Sequence, residues 1–446
     1  MRQRLTDADI IAAIATPPGQ GGIGVIRVSG KSLTHFVQNW FDRQLPARQA
    51  MLMPFHDDNG QLLDQGLAIY FPAPHSYTGQ DVLELHAHGN PLILASLLRR
   101  CHRLGARAAE PGEFTLRAYL NEKIDLAQAE SVADLIAAGS EMAARSAMQT
   151  LSGEFSSRIH AEVNQLIQLR AQVEAMLDFP EESIDFMASL KIMARLEALH
   201  KQLLDILRIS GQGKILRDGL RVVLIGQPNV GKSSLLNRLA GDDLAIVSEQ
   251  AGTTRDTVRE TLVLRGVPVQ VIDTAGLRET TDRIEQQGIQ RTWSAIAQAT
   301  VAVLLVDAQH GLTESEQAII NKLPPQLVTL TVHNKTDLLA SWPASTGQDV
   351  YVSAKTGIGL DVLQDRLLAL AGWQGEDASQ FMARERHLQA LQEAAECLLA
   401  AQQQEGFLEL LAENLRLAQQ ALNRITGEFS ADDLLGEIFS RFCIGK

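Results

Sequence analysis

Cysteine is scarce in this chain: Cys101, Cys397 and Cys443 are the only three in 446 residues, and they lie far apart. That excludes a disulfide framework and a cysteine-built zinc site. Long hydrophobic runs are missing too, since no stretch reaches the roughly 18 uninterrupted apolar residues of a membrane span. The start, Met1-Arg2-Gln3-Arg4-Leu5-Thr6-Asp7-Ala8-Asp9, carries no apolar segment behind its basic residues. A cytoplasmic address is expected. Positive charge is the minority sign: 40 Lys and Arg stand against 53 Asp and Glu, a formal net charge of −13. A broad electrostatic grip on nucleic acid is thereby disfavoured, so any RNA contact has to be local or shared with a partner. The one conspicuous basic cluster, Arg99, Arg100, Arg103 and Arg107, reads as a solvated helix face. Repeats and low-complexity segments are absent, while 45% hydrophobic content suffices for the cores of two or three domains.

The informative residues begin with Gly226-Gln227-Pro228-Asn229-Val230-Gly231-Lys232-Ser233, which follows the apolar run Val222-Val223-Leu224-Ile225 and precedes Ser234-Leu235-Leu236-Asn237-Arg238-Leu239. Strand, loop and helix in that order are the setting of a phosphate-binding loop. Gly226 and Gly231 let backbone N–H groups wrap a polyphosphate, and the helix N-terminus adds partial positive charge. Asn229, Val230, Gly231, Lys232, Ser233 and Ser234 are the candidate contacts. Lys232 is expected at the terminal phosphates and the Ser233 hydroxyl on Mg²⁺.

Downstream segments choose the base. Val269-Gln270-Val271-Ile272 ends in Asp273-Thr274-Ala275-Gly276, a carboxylate for the metal side and a glycine amide for the γ-phosphate. Leu327-Val328-Thr329-Leu330-Thr331-Val332 leads to Asn334-Lys335-Thr336-Asp337. The Asp337 carboxylate can accept from the ring N–H and exocyclic amine of guanine, a donor pair that adenine lacks on that edge. Ser353-Ala354-Lys355 completes the base pocket. The loop Ser248-Glu249-Gln250-Ala251-Gly252-Thr253-Thr254 supplies a threonine pair, of which Thr254 can complete the Mg²⁺ shell. GTP with Mg²⁺ is the expected ligand. In small signalling GTPases a glutamine after the D-x-x-G glycine orients the attacking water; here that position is Leu277, so another group has to do so. Asn229 either braces the loop or binds a monovalent cation such as K⁺ beside the phosphates, where an arginine finger otherwise stands.

The first ~118 residues mix β-like runs, such as Gly24-Val25-Ile26-Arg27-Val28, with the helix-like Pro91-Leu92-Ile93-Leu94. An α+β domain over residues 1–118 is expected. From residue 119 apolar residues recur at helical spacing: Leu151, Phe155, Ile159, Val163, Ile167 and Leu177. The pattern breaks at Gly211-Gln212-Gly213 and resumes after Gly372-Trp373-Gln374-Gly375 through Leu388, Leu391, Ala395 and Leu398. The reading is multidomain: a helical domain over 119–214 and 373–446, interrupted by an inserted α/β P-loop GTPase domain of the Ras-like type over 215–372.

Together these features resemble one family across nearly the whole chain, the bacterial tRNA modification GTPases called MnmE or TrmE. The resemblance rests on Ala15-Thr16-Pro17-Pro18-Gly19-Gln20-Gly21-Gly22-Ile23-Gly24, on Gly252-Thr253-Thr254-Arg255-Asp256 and Asp273-Thr274-Ala275-Gly276-Leu277-Arg278, and on the terminal Phe442-Cys443-Ile444-Gly445-Lys446. It implies a homodimer held by the N-terminal domain and G domains that pair in a K⁺-dependent manner. It also implies K⁺ ligation by Asn229, Ser248, Gln250 and Thr253, and water orientation by Glu285. A one-carbon folate such as 5-formyltetrahydrofolate is implied at Arg27, Glu84, Lys123 and Lys446. Those types suit it: Arg and Lys pair with a glutamate tail, and a carboxylate accepts from the pterin amine. Cys443 is the candidate nucleophile or one-carbon acceptor, with a packed chain-end thiol as the alternative. The implied activity is GTP-coupled addition of an aminomethyl or carboxymethylaminomethyl group at C5 of the wobble uridine of certain tRNAs. The implied partner is the flavoprotein MnmG (GidA), which brings FAD and NADH chemistry and much of the tRNA grip. A GTP-driven assembly switch, as in ribosome maturation, is the competing reading.

Overall fold

The structure, a computed structural model, describes residues 9–57, 59–178, 191–241, 259–273, 293, 296–325, 327–375, 381–404, 407–428, 432–440 and 442–445. The chain forms two compact units. One comprises Met1–Ala133, Leu151–Ser189 and Gln404–Lys446, the other Asp134–Thr150 and Leu190–Gln403.

The first unit contains a six-stranded sheet of β1 (Ile11–Ile14), β2 (Gly21–Gly30), β3 (Met51–His56), β4 (Leu62–Phe71), β5 (Asp81–Gly89) and β6 (Arg107–Ala108), ordered β3-β4-β5-β2-β1-β6. Its pairings are antiparallel except β1 with β6. Strand alternation sends Ile26 and Val28 of β2 and Leu83 and Leu85 of β5 into one core. Helices α1 (Thr34–Phe41) and α2 (Pro91–Arg103) cover that core with Phe36, Trp40, Leu94 and Leu97. Asn90 starts α2 by accepting from the Leu92 N–H at 2.9 Å, with Pro91 at the first helical position. On the opposite face of the same strands, the register sets Arg27 directly across from Glu84.

The basic cluster is only partly solvated. Arg99 and Arg103 are exposed, but Arg100 lies 4.8 Å from the centre of the Trp40 ring and donates to the carbonyls of His56, Asp57 and Trp40. Arg107 is bonded to Glu113 and Asp9. The helical stripe is also corrected: in the helix Glu154–Asp178, Phe155, Ile159, Val163, Leu166, Leu169, Val173 and Met176 are buried, and Ile167 is 41% exposed. Steps of four overshoot one helical turn by ~40° each, so three steps from Phe155 carry Ile167 out of the seam and bring Leu166 in. This helix packs against Leu408–Thr426, joined by a bond from Arg170 Nη1 to Gln419 Oε1 at 2.7 Å.

The second unit is built on β7 (Leu220–Ile225), β8 (Arg259–Leu264), β9 (Val267–Asp273), β10 (Val301–Asp307), β11 (Val328–Asn334) and β12 (Asp349–Tyr351), ordered β12-β11-β10-β7-β9-β8. All pairs are parallel except β8 with β9. Parallel strands covered on both faces read as unbroken apolar runs. Accordingly Val222, Leu224, Val303 and Leu305 fill one core, and Val223, Ile225, Leu304 and Val306 fill another. Because β9 lies on one side of β7 and β10 on the other, the chain reverses its winding at β7. The carboxyl end of that strand is where an open α/β sheet binds its ligand.

The glycines at 211 and 213 do not break the helix. Ile192–Asp218 runs through both, and the missing Cβ of Gly213 admits the carbonyl of Phe381. Gln212 between them donates from Nε2 to the Gly372 carbonyl at 2.9 Å and accepts the Gln374 N–H at 2.9 Å. The two glycine-flanked ends of the nucleotide segment are therefore tied to each other.

Candidate functional site

The carboxyl ends of the central strands meet in register: Leu224 of β7 faces Asp273 of β9 and, through β10, Asp307 faces Asn334 of β11. The loop 226–231 leaves β7 there and enters the helix Lys232–Ala240. Two positions need left-handed backbone, Asn229 at φ 63° and Gly231 at φ 98°. Glycine meets this freely and asparagine tolerates it. A Cβ at Gly231 would run into the Asn334 amide, and one at Gly226 into the Leu305 carbonyl. The loop is a cradle that side chains would fill. Lys232 Nζ donates to the carbonyls of Gly226 at 2.8 Å and Gln227 at 3.1 Å, which holds its ammonium at the cradle; Ser233 and Ser234 are exposed on the first helical turn.

Asn334 braces this cradle from the neighbouring motif. It is 2% exposed; its Nδ2 donates to the Val230 carbonyl at 2.8 Å and its Oδ1 accepts the Ala354 N–H at 2.9 Å. Thus one amide links the phosphate loop to both base motifs. Ser353 Oγ donates to Asp337 Oδ1 at 2.7 Å and accepts the Thr356 N–H at 3.1 Å, which fixes the carboxylate that the sequence assigns to guanine. Lys335, at φ 67°, bonds Asp307 Oδ2 at 2.8 Å. Burial opposes ionisation of Asp307, yet the bonds from Lys335 and the Gln309 amide outweigh it and hold the carboxyl below its usual range. Sequence reading passed over Asp307; its signal is the carboxylate ending the apolar run Val301–Val306. Lys355 is exposed.

A second constellation lies in the first unit. Arg27 donates from Nε and Nη2 to Glu84 Oε1 at 2.9 and 2.8 Å, and from Nη1 to the Gly445 carbonyl at 3.3 Å. Its guanidinium lies 5.5 Å from the Tyr77 ring centre and 5.8 Å from that of Phe114. Glu84 Oε2 meets His86 Nε2 at 3.2 Å. The structure thereby joins Arg27, Glu84 and the terminal motif. Lys123 is exposed, beside Gly79. Gly445, at φ 100°, packs where a Cβ would strike the Ile14 carbonyl, and the Cys443 carbonyl accepts the Gly112 N–H at 3.4 Å. These contacts leave the Cys443 side chain exposed. Cys101 is fully buried, and burial pushes its thiol up to about 12, which leaves it inert. Tyr77, Phe114 and His86 escaped sequence reading, since only folding brings the two aromatic rings to Arg27.

Ser248, Glu249, Gln250, Ala251, Gly252, Thr253, Thr254, Thr274, Ala275, Gly276, Glu285 and Lys446 lie outside the described residues, as does the side chain of Asp273. Among the described residues no helix is long and apolar enough to cross a membrane.

A parallel sheet with its winding reversal at a glycine cradle, carrying an Asn-Lys-x-Asp motif beside it, defines a P-loop GTP-binding protein. The particular kind follows from comparison. The model of the MnmE helical domain matches residues 126–443, and that of the GTP-binding protein TrmE N-terminus matches 10–123. Over 99% of its length the chain is 56% identical to tRNA modification GTPase MnmE of Nitrosomonas europaea, covering 100% of that protein. It is also 56% identical to the one of Chromobacterium violaceum, with 98% of each chain covered. Among solved structures, Aquifex aeolicus Era matches at 25% identity over 40% of this chain and 67% of its own, with a TM-score of 0.29. The chain belongs to the MnmE family of tRNA modification GTPases. It is a GTP hydrolase that acts in tRNA modification.

Proposed function

We propose that this GTPase is activated by K⁺ and works with a flavoprotein of the MnmG (GidA) kind. Together they install an aminomethyl or carboxymethylaminomethyl group at C5 of the wobble uridine of certain tRNAs, using a one-carbon folate such as 5-formyltetrahydrofolate. The observation that carries this reading is the Arg27–Glu84 pair reaching the Gly445 carbonyl. A guanidinium near two aromatic rings and next to a carboxylate suits a ligand with a heteroaromatic amine and an anionic tail. A ligand held at Arg27 would lie near the motif that carries Cys443, the candidate thiol for the one-carbon step. Lys123 and Lys446 add positive charge for the tail.

In the same reading Ser233 and Thr254 hold Mg²⁺, and Asn229, Ser248, Gln250 and Thr253 hold K⁺. Glu285 orients water where Leu277 cannot, and Asp337 selects guanine. The protein acts in the cytoplasm as a homodimer, with its segments divided at 118, 214 and 372. A net charge of −13 supports a partner that supplies part of the tRNA contact.

Titration with 5-formyltetrahydrofolate tests the carrying observation. Arg27→Ala leaves Glu84 without its cation and is expected to weaken folate binding at least about thirtyfold, with GTP affinity unchanged. Wild-type folate affinity in Arg27→Ala sinks the assignment.

A further inference from the structure

The β8–β9 hairpin connects the nucleotide site to something else. β8 starts at Arg259, five positions after Thr254 in the sequence, and β9 ends at Asp273 beside the P-loop strand. Six paired positions, from Arg259 with Ile272 to Leu264 with Val267, make one continuous ladder. Its far end lies roughly 20 Å from Asp273 at ~3.3 Å per residue. There the turn Arg265-Gly266 is seated on the segment that opens the helix Glu141–Leu151.

Ser140 makes two bonds at that seat. Its hydroxyl donates to the Gly266 carbonyl at 2.6 Å and accepts the Ala143 N–H at 3.1 Å, so one oxygen holds the turn and caps the helix. Gly266 stands at φ 83°, and a Cβ there would lie 2.7 Å from Met142 Cε. Gly139 packs against Pro268, whose Cβ is 3.5 Å from where a Gly139 Cβ would be. Further along, Ala143 and Ala147 are buried in the same core as Leu262, Leu264, Val267 and Val269. At its other end this helix is tied to the stretch beyond the nucleotide segment: the Ser146 carbonyl accepts the Met382 N–H at 3.4 Å, and Thr150 Oγ1 donates to the Met382 carbonyl at 3.2 Å.

We propose that the β8–β9 turn, gripped by Ser140 and Met142, is the contact through which the nucleotide state at the Asp273 end is passed to the helical segment. Ser140 is then a positioning residue for tRNA modification, not for GTP binding or hydrolysis. Loss of a γ-phosphate bound at the carboxyl end of β9 would change the charge there. A paired ladder resists shear between its strands, so a shift at that end reappears at the turn. The grip at Ser140 and Met142 converts it into a shift of the helix. Couplings of this kind amount to about 5–150-fold.

The test uses the full chain. Ser140→Asp retains an acceptor that caps the helix but removes the donor to Gly266. Ser140→Thr retains both. Amide hydrogen exchange over residues 139–151 is compared with GDP and with a non-hydrolysable GTP analogue, alongside GTP affinity, GTP turnover and tRNA modification. Wild-type protein is expected to exchange differently in the two states. Ser140→Asp should lose that difference and modify tRNA about tenfold more slowly, with GTP affinity and turnover within about twofold; Ser140→Thr should behave as wild type. Equal exchange in both states of the wild type overturns the proposal, and so does wild-type modification by Ser140→Asp. A parallel fall in its GTP turnover also overturns it, since Ser140 would then serve hydrolysis.

Discussion

Glu162 shows how one residue can set a pH dependence. It sits in the middle of the helix Glu154–Asp178, 7% exposed, and its Oε2 has no hydrogen-bond partner among the described residues. Burial disfavours the anion and pushes the carboxyl up to about 7 from an ordinary 4.5. The sign follows from the folded value being the higher one. Glu162 contributes stability that is full below about 4.5 and is lost as pH rises through about 7. Glutamine has the same shape and no charge to bury. Melting of wild-type protein is therefore expected to fall relative to Glu162→Gln between pH 5 and pH 8, by a few degrees at about 2–4 °C per kcal/mol. Melting curves that stay parallel across that range contradict the burial argument.

At the scale of elements, the two glycines of Ile192–Asp218 give a paired prediction. Glycine inside a helix costs about 1 kcal/mol relative to alanine. Among the described residues nothing lies within 4 Å of a Cβ at Gly211, so Gly211→Ala should recover part of that cost and raise the melting temperature. A Cβ at Gly213 meets the Phe381 carbonyl, which is backbone and has little room to move. Overpacking costs about 1–3 kcal/mol, so Gly213→Ala should lower the melting temperature. Shifts of the same sign in the two variants contradict this packing. The example also shows what the sequence makes legible. The P-loop, the Asn334–Asp337 motif and their order along the chain are local patterns, and the sheet positions them as local chemistry requires. Gly211-Gln212-Gly213 reads locally as a break, but its reason is the carbonyl of Phe381 some 170 residues on, and no periodicity carries that information. The aromatic walls around Arg27 and the seat of the Gly266 turn were hidden for the same reason. Ile167 falls outside the buried seam for a simpler reason, a spacing of four drifting away from a period of 3.6.

At the scale of the whole molecule, the chain combines a GTP hydrolase with a tRNA-modifying output, and its acidic balance suits a shared rather than a solitary hold on RNA. Lys232, held over the phosphate cradle, offers a way to remove nucleotide turnover while leaving the Arg27–Glu84 constellation intact. The most direct measurement is mass spectrometry of tRNA nucleosides from cells lacking this protein, resupplied with wild type or with Lys232→Ala. Wild type is expected to restore C5-aminomethyl or C5-carboxymethylaminomethyl wobble uridine, and Lys232→Ala to leave the unmodified base. Unchanged wobble uridine modification in cells lacking the protein, or full restoration by Lys232→Ala, would contradict a GTP-driven modification at C5.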